Sequence, residues 1–168
     1  HSGTHAQYPT LLGHEATGVV AATGPDVEHV REGDHVITTW VDRALEEGAP
    51  PRARTEAQWN GMSVNVGGAT WTEHTLISER MVVPMSKDVA TDVTSIIGCA
   101  MLTGSGVIMN TLDVGIADSV AVFGAGGVGL CALAAAQVAG AYPIIAVDLS
   151  DEKLEFAQRF GATHTVNA

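Results

Sequence analysis

Residues 119–148 read SVAVFGAGGVGLCALAAAQVAGAYPIIAVD, and the fold is decided by how this stretch is parsed. No residue from Ser119 to Val147 is charged, nor is any from Val93 to Leu112. Unbroken apolar runs of about 20 residues are membrane-span candidates, but this one is punctuated. Glycines at 124, 126, 127 and 129, then Gln137, Gly140 and Pro143, divide it into strand, turn, helix, turn and strand. Elements that are apolar on every side suit a parallel sheet covered by helices on both faces. The strand Val120–Phe123 runs into GAGGVG, which sets Gly124, Gly126 and Gly129 in the G-x-G-x-x-G pattern between strand and helix, with Gly127 and Val128 inside it. The first glycine serves a tight turn, the second lets a pyrophosphate approach the backbone, and the third lets helix pack closely on strand. The helix amide end then faces the phosphates. Asp148 ends the next strand 19 residues after Gly129, where a carboxylate accepts both ribose hydroxyls of an adenosine. The pair predicts a dinucleotide site. A 2′-phosphate against that carboxylate would cost on the order of several kcal/mol, which favours NAD over NADP. Lys153, one turn into the next helix, either steadies the ribose or is solvated.

Downstream the alternation continues, with a helix over Asp151–Phe160 and a strand over Thr163–Val166. Upstream, helical segments are expected over Thr91–Gly98 and Thr103–Leu112. Earlier still the pattern is β-rich: Gly18–Ala22, Val36–Trp40 and Trp71–Ile77 read as strands, with turn chemistry at Gly24-Pro25 and Gly33-Asp34. Asp42 to Gly68 shows no period and reads as a surface excursion. Two domains follow from this: 1–88, β-rich, and 89–168, helices leading into half of a doubly wound sheet.

Composition limits the function classes. Apolar residues make up 46% of the 168 and charged residues 16%, a globular balance that excludes disorder and coiled coil. Eight basic residues against 19 acidic ones give a net charge of −11, so phosphate backbones and anionic lipid are repelled. Neither a nucleic-acid nor a membrane role is expected. Cys99 and Cys131 form no disulfide framework, and a reducing cytoplasm is the expected compartment. Cys131 reads as helix packing, while His5, His29, His35, His74 and His164 read as surface or turn residues. The chain starts at His1 and stops at Ala168 without a closing element, and is expected to be a piece of a longer protein.

PTLLGHEATGVV, GDHVI, IIGCAMLTG, SVAVFGAGGVGL and IIAVDLSDEKLEFAQRFGATHTVN together resemble successive blocks of the zinc-dependent alcohol dehydrogenases of the medium-chain dehydrogenase/reductase superfamily. The resemblance spans the chain except for Asp42 to about Gly67. It implies a partial GroES-like β-rich catalytic domain followed by the first half of a Rossmann doubly wound parallel sheet. It also implies one catalytic zinc, held by His14 of the GHE block, by Cys99 of the GC block and by a cysteine preceding His1, with Glu15 beside the metal. Thr103 and Val128 match positions at the nicotinamide. Trp40 matches a position that lines the alcohol pocket, although core packing explains a tryptophan there equally well. The four cysteines of a structural zinc are missing from 42–67, so no second zinc is expected. The implied activity is hydride transfer between a small alcohol or aldehyde and NAD, with a homo-oligomer at full length. Two alternatives stand beside it: a zinc-free quinone or enoyl reductase of the same superfamily, and a non-catalytic NAD-binding module. With only half of the doubly wound sheet, the 168-residue chain is expected to bind NAD weakly if at all and to show no turnover.

Overall fold

The computed structural model describes residues 9–39, 41, 57–66 and 70–168. The chain forms two compact units, His1–Gly98 and Cys99–Ala168.

The first unit is built of short strands. β1 (Thr10–Leu11) pairs in parallel with β5 (Met62–Val66), which pairs antiparallel with β4 (Ala57–Trp59). A second sheet has the order β2 (Ala16–Val19), β3 (His35–Thr38), β6 (Val82–Pro84), all antiparallel. Along β3 burial alternates, with Val36 and Thr38 buried and His35 and Ile37 less so, as expected of a strand with one covered face. Val36 joins Val30 and Val82 in a small core flanked by Val20, Val27 and Ile77. A 3₁₀ turn at Glu79–Met81 leads into β6, and the helical turn α1 (Thr91–Thr94) docks on β2 through a 2.8 Å hydrogen bond between the hydroxyls of Thr17 and Thr94.

Several sequence expectations for this unit are corrected. The strand expected over Gly18–Ala22 runs from Ala16 to Val19; Val20 still bonds across to Gly33 and Asp34, and the chain then turns away. Trp71–Ile77 forms no strand. Its first amide is tied back, Trp71 N–H to the Leu12 carbonyl at 3.2 Å, and Trp71 and Leu76 are exposed; the segment pairs with none of the described strands. The excursion over Asp42–Gly68 contains the β4–β5 hairpin, turned by Asn60 (φ 50°) and Gly61 (φ 75°). Asn-Gly between two short runs is the signal of a type I′ hairpin. His35 lies in a strand and, like His29, buries a ring nitrogen, so these two are not simply surface or turn side chains, whereas His164 is exposed on β9 as a surface side chain.

The second unit is denser. A π-helical turn (Ile97–Met101), which begins just before the unit boundary, leads into α2 (Leu102–Gly106) and a second π-helical turn (Val107–Thr111). The two expected helical segments are thus present, but with much of their length wound as π. Then follow β7 (Val120–Phe123), α3 (Gly127–Val138), β8 (Ile144–Asp148), α4 (Asp151–Gln158) and β9 (His164–Asn167). The three strands form a parallel sheet in the order β7-β8-β9, with Val120 opposite Ile144 and Asp148 opposite Asn167. Leu133, Ala136, Ala146 and Ala157 are fully enclosed, with Ile108, Val120, Ile144 and Leu154 around them. Alanine at the helix–sheet contact brings the layers close, and the branched side chains fill the remaining space. Among the described residues no helix is long and apolar enough to cross a membrane.

Candidate functional site

The turn after β7 is anchored before it becomes a site. Gly124 takes φ +94°, a conformation L side chains rarely adopt, and its N–H donates to the Val147 carbonyl at 2.7 Å. Gly129 lies against that same residue: a Cβ there would sit 1.9 Å from the Gly124 carbonyl oxygen. Glycine is therefore required for α3 to seat under the turn. Gly126, the N-cap of α3, is the opposite case, because a Cβ on it would meet nothing within 4 Å. Close packing below and open space above leave a cradle. Gly127, Val128 and Gly129 open the helix, where N–H groups have no intrahelical acceptor. Their amides suit an anion.

Asp148, the last residue of β8, reaches into the same turn. Its Oδ2 accepts the Ala125 N–H at 2.8 Å and its Oδ1 accepts the Ser150 N–H at 3.0 Å. Chiefly the Ala125 bond, then the Ser150 bond, with a smaller contribution from the Lys153 charge, hold the carboxyl below its ordinary value of 3.8. Ser150 also caps α4, its hydroxyl accepting the Lys153 N–H at 3.4 Å, and Asn167 at the end of β9 donates to Asp151 at 2.5 Å. Lys153 is exposed. The roles of Ala125 and Ser150 were missed from sequence; a serine before Asp151-Glu152 is an N-cap signal, whereas nothing about Ala125 marks a backbone donor. On α2, Thr103 is exposed and adjoins the buried Gly104, where a Cβ would lie 2.3 Å from the Val128 carbonyl oxygen. The segment bearing Thr103 is thereby pressed onto the first turn of α3.

The expected metal ligands fall in different units and are described separately. His14 and Glu15 follow Gly13, which has φ +98° and passes so close beneath Thr70 and Trp71 that a Cβ would lie 2.4 Å from the Thr70 hydroxyl. Thr70 fixes both sides of the segment, its N–H donating to the Gly13 carbonyl at 3.2 Å and its hydroxyl to the Glu15 carbonyl at 3.0 Å. His14 is exposed and Glu15 half-buried. Cys99 is half-buried in the first π-helical turn. Imidazole and thiolate are zinc donors in kind. Among the described residues, no group of three or more His, Cys, Asp or Glu side chains is placed to hold a metal ion. Trp40 lies outside the described residues.

Comparison with known proteins identifies the family. Residues 1–87 match the family described as alcohol dehydrogenase GroES-like domain, and residues 127–168 match that described as zinc-binding dehydrogenase. A β-rich unit leading into a dinucleotide-type sheet places the chain among the two-domain dehydrogenases as a class. Within that class it belongs to the zinc-dependent alcohol dehydrogenases of the medium-chain dehydrogenase/reductase superfamily. One curated relative, an S-(hydroxymethyl)glutathione dehydrogenase of Escherichia coli, is 34% identical over 95% of this chain and 49% of its own length. Among solved structures, a benzyl alcohol dehydrogenase from Acinetobacter calcoaceticus superposes with a TM-score of 0.81 at 35% identity, covering 96% of this chain and 49% of that one. An alcohol dehydrogenase zinc-binding domain protein from Burkholderia ambifaria gives 0.83 at 30% identity, covering 97% and 50%. The chain thus spans about half the length of the curated relatives it matches.

Proposed function

We propose that this chain carries the zinc-binding and adenosine-binding parts of an NAD-linked, zinc-dependent oxidoreductase acting on a small alcohol or aldehyde. The observation that supports it most is the Gly124–Gly129 turn with the Asp148 carboxylate at its edge, in a chain whose family is one of zinc-binding dehydrogenases. Residues 1–88 are the catalytic domain and contribute His14 and Glu15 to the zinc site, while 89–168 hold the cofactor part and contribute Cys99. In the cofactor part, the Gly127, Val128 and Gly129 amides receive the pyrophosphate and Asp148 accepts the ribose hydroxyls, with Lys153 beside it. Thr103 and Val128 orient the nicotinamide end. His14 and Cys99 would hold the zinc, with Glu15 beside them, and Trp40 would line the alcohol pocket. When bound, the zinc supplies Lewis acidity toward the substrate oxygen and the dinucleotide supplies the hydride acceptor. A cytoplasmic, homo-oligomeric protein with no nucleic-acid partner completes the proposal.

Metal analysis of the full-length protein, paired with alcohol-dependent formation of NADH, tests it. One zinc per subunit, lost together with activity on Cys99→Ala or His14→Ala, is the expected result. A metal-free protein with undiminished turnover would assign the chain to the zinc-free reductases. NAD binding without any alcohol-dependent reduction would make it a binding module.

A further inference from the structure

The glycine-rich turn spends its first two amides on β8: Gly124 N–H on the Val147 carbonyl and Ala125 N–H on the Asp148 side chain. Ala125 is 4% exposed, so its N–H has little access to water and needs an acceptor from the protein. A backbone carbonyl supplies the first bond and would supply it for any sequence. The second depends on one side chain. A carboxylate offers about four lone-pair sites on two oxygens, and here one on each oxygen is taken, by Ala125 and by Ser150. One on each oxygen is left for a ribose hydroxyl, so Asp148 can hold the turn and a nucleotide at the same time. The Ser150 bond also fixes the carboxylate from the α4 side, which leaves it little freedom to swing away from Ala125.

We propose that Asp148, besides accepting the ribose, is a positioning residue: by holding the Ala125 N–H it keeps the glycine-rich turn in its cradle form before any nucleotide arrives. This rests on the dinucleotide reading of the turn. Pre-organisation of this kind raises affinity by removing an ordering cost from the binding step. It therefore acts on every ligand that uses the turn's phosphate cradle, including one that never touches Asp148.

That difference provides the test. ADP and 2′,3′-dideoxy-ADP are titrated into the full-length protein, wild type, Asp148→Ala and Asp148→Asn. The dideoxy ligand has no hydroxyl to offer the carboxylate. The expected result is that Asp148→Ala weakens dideoxy-ADP by about fivefold, the worth of one hydrogen bond, and that Asp148→Asn, whose side-chain carbonyl can still accept the Ala125 N–H, restores most of it. Dideoxy-ADP binding that is unchanged or tighter in Asp148→Ala, as removal of a negative charge alone would give, overturns the proposal. Amide exchange of the ligand-free chain reads the latch directly: Ala125 protection should fall in Asp148→Ala and return in Asp148→Asn, while Leu133 and Ala136 in α3 stay protected and report an intact fold. If ADP itself fails to bind the wild type, the dinucleotide reading falls. The latch is then judged by exchange alone, and unchanged Ala125 protection in Asp148→Ala removes it.

Discussion

The two units differ in how they hold a functional residue in place. In the second, the glycine-rich turn rests on a layered core in which Leu133, Ala136, Ala146 and Ala157 are fully enclosed, and helix, strand and turn touch through backbone. In the first, among the described residues, the core is Val30, Val36 and Val82, and the segment bearing His14 and Glu15 is tied by hydrogen bonds from Thr70 and turned at the left-handed Gly13. A phosphate cradle needs several amides aimed together, which a dense α/β core provides. A metal ligand needs only one side chain delivered to one place, and a loop pinned at two points is enough. The relative stiffness of the two units should therefore follow their chemistry.

Substitutions matched across the units would break this contrast most sharply. Gly129→Ala sets a Cβ 1.9 Å from the Gly124 carbonyl oxygen, and Gly98→Ala sets one 1.7 Å from the Thr38 carbonyl oxygen. Backbone cannot yield as a side-chain tip can, so each should destabilise its own unit by about 3 to 4 kcal/mol. Unit-resolved hydrogen exchange checks it, and loss of protection across both units from either change would show that they do not unfold separately. Core truncation comes next. Leu133→Ala, at a site with no exposure, should cost about 3 kcal/mol. Val36→Ala should cost about 2 kcal/mol, since fewer methyl groups leave a smaller core. Urea midpoints measure both, and equal losses would mean the first unit is packed as tightly as the second. Smaller again is Gly61→Ala, which forces a φ of 75° on an alanine and should weaken the β4–β5 hairpin by about 1 kcal/mol, seen as faster exchange of β5 amides.

Acid sharpens the comparison from another side. The Asp148 carboxyl is held below its ordinary 3.8, first by the Ala125 N–H, so the folded chain takes up that proton less readily than the unfolded chain. Its contribution to stability is fully present above 3.8 and is lost as pH falls through the lower folded value. Between pH 5 and pH 3 the second unit of the wild type should lose urea resistance more steeply than that of Asp148→Asn. Parallel curves would show that the carboxylate does not stabilise the turn.

How much of this was legible in the sequence follows the same division. The second unit was read nearly element by element, because GAGGVG, the uncharged strands around it and Asp148 at a fixed distance are local signals that agree with one another. What escaped was the partner of a backbone group: nothing in an alanine at 125 announces that its N–H meets a carboxylate. In the first unit the strands are two to five residues long, too short for periodicity to fix their ends. Trp71–Ile77 looked like a strand because alternation says nothing about whether a ladder is available. The hairpin at 57–66 was hidden in a charged, proline-containing stretch although Asn60-Gly61 marked it. His14 and Cys99 gained meaning as metal ligands only through family resemblance, since each alone is an ordinary loop or helix residue.

The account depends above all on the turn between β7 and α3 being a nucleotide cradle. An ADP titration of the full-length protein followed by amide resonances tests this most directly. Shifts should grow with ADP up to millimolar concentration and centre on Gly126, Gly127, Val128 and Asp148. Unmoved resonances at these four positions, or shifts centred in the first unit, would contradict it.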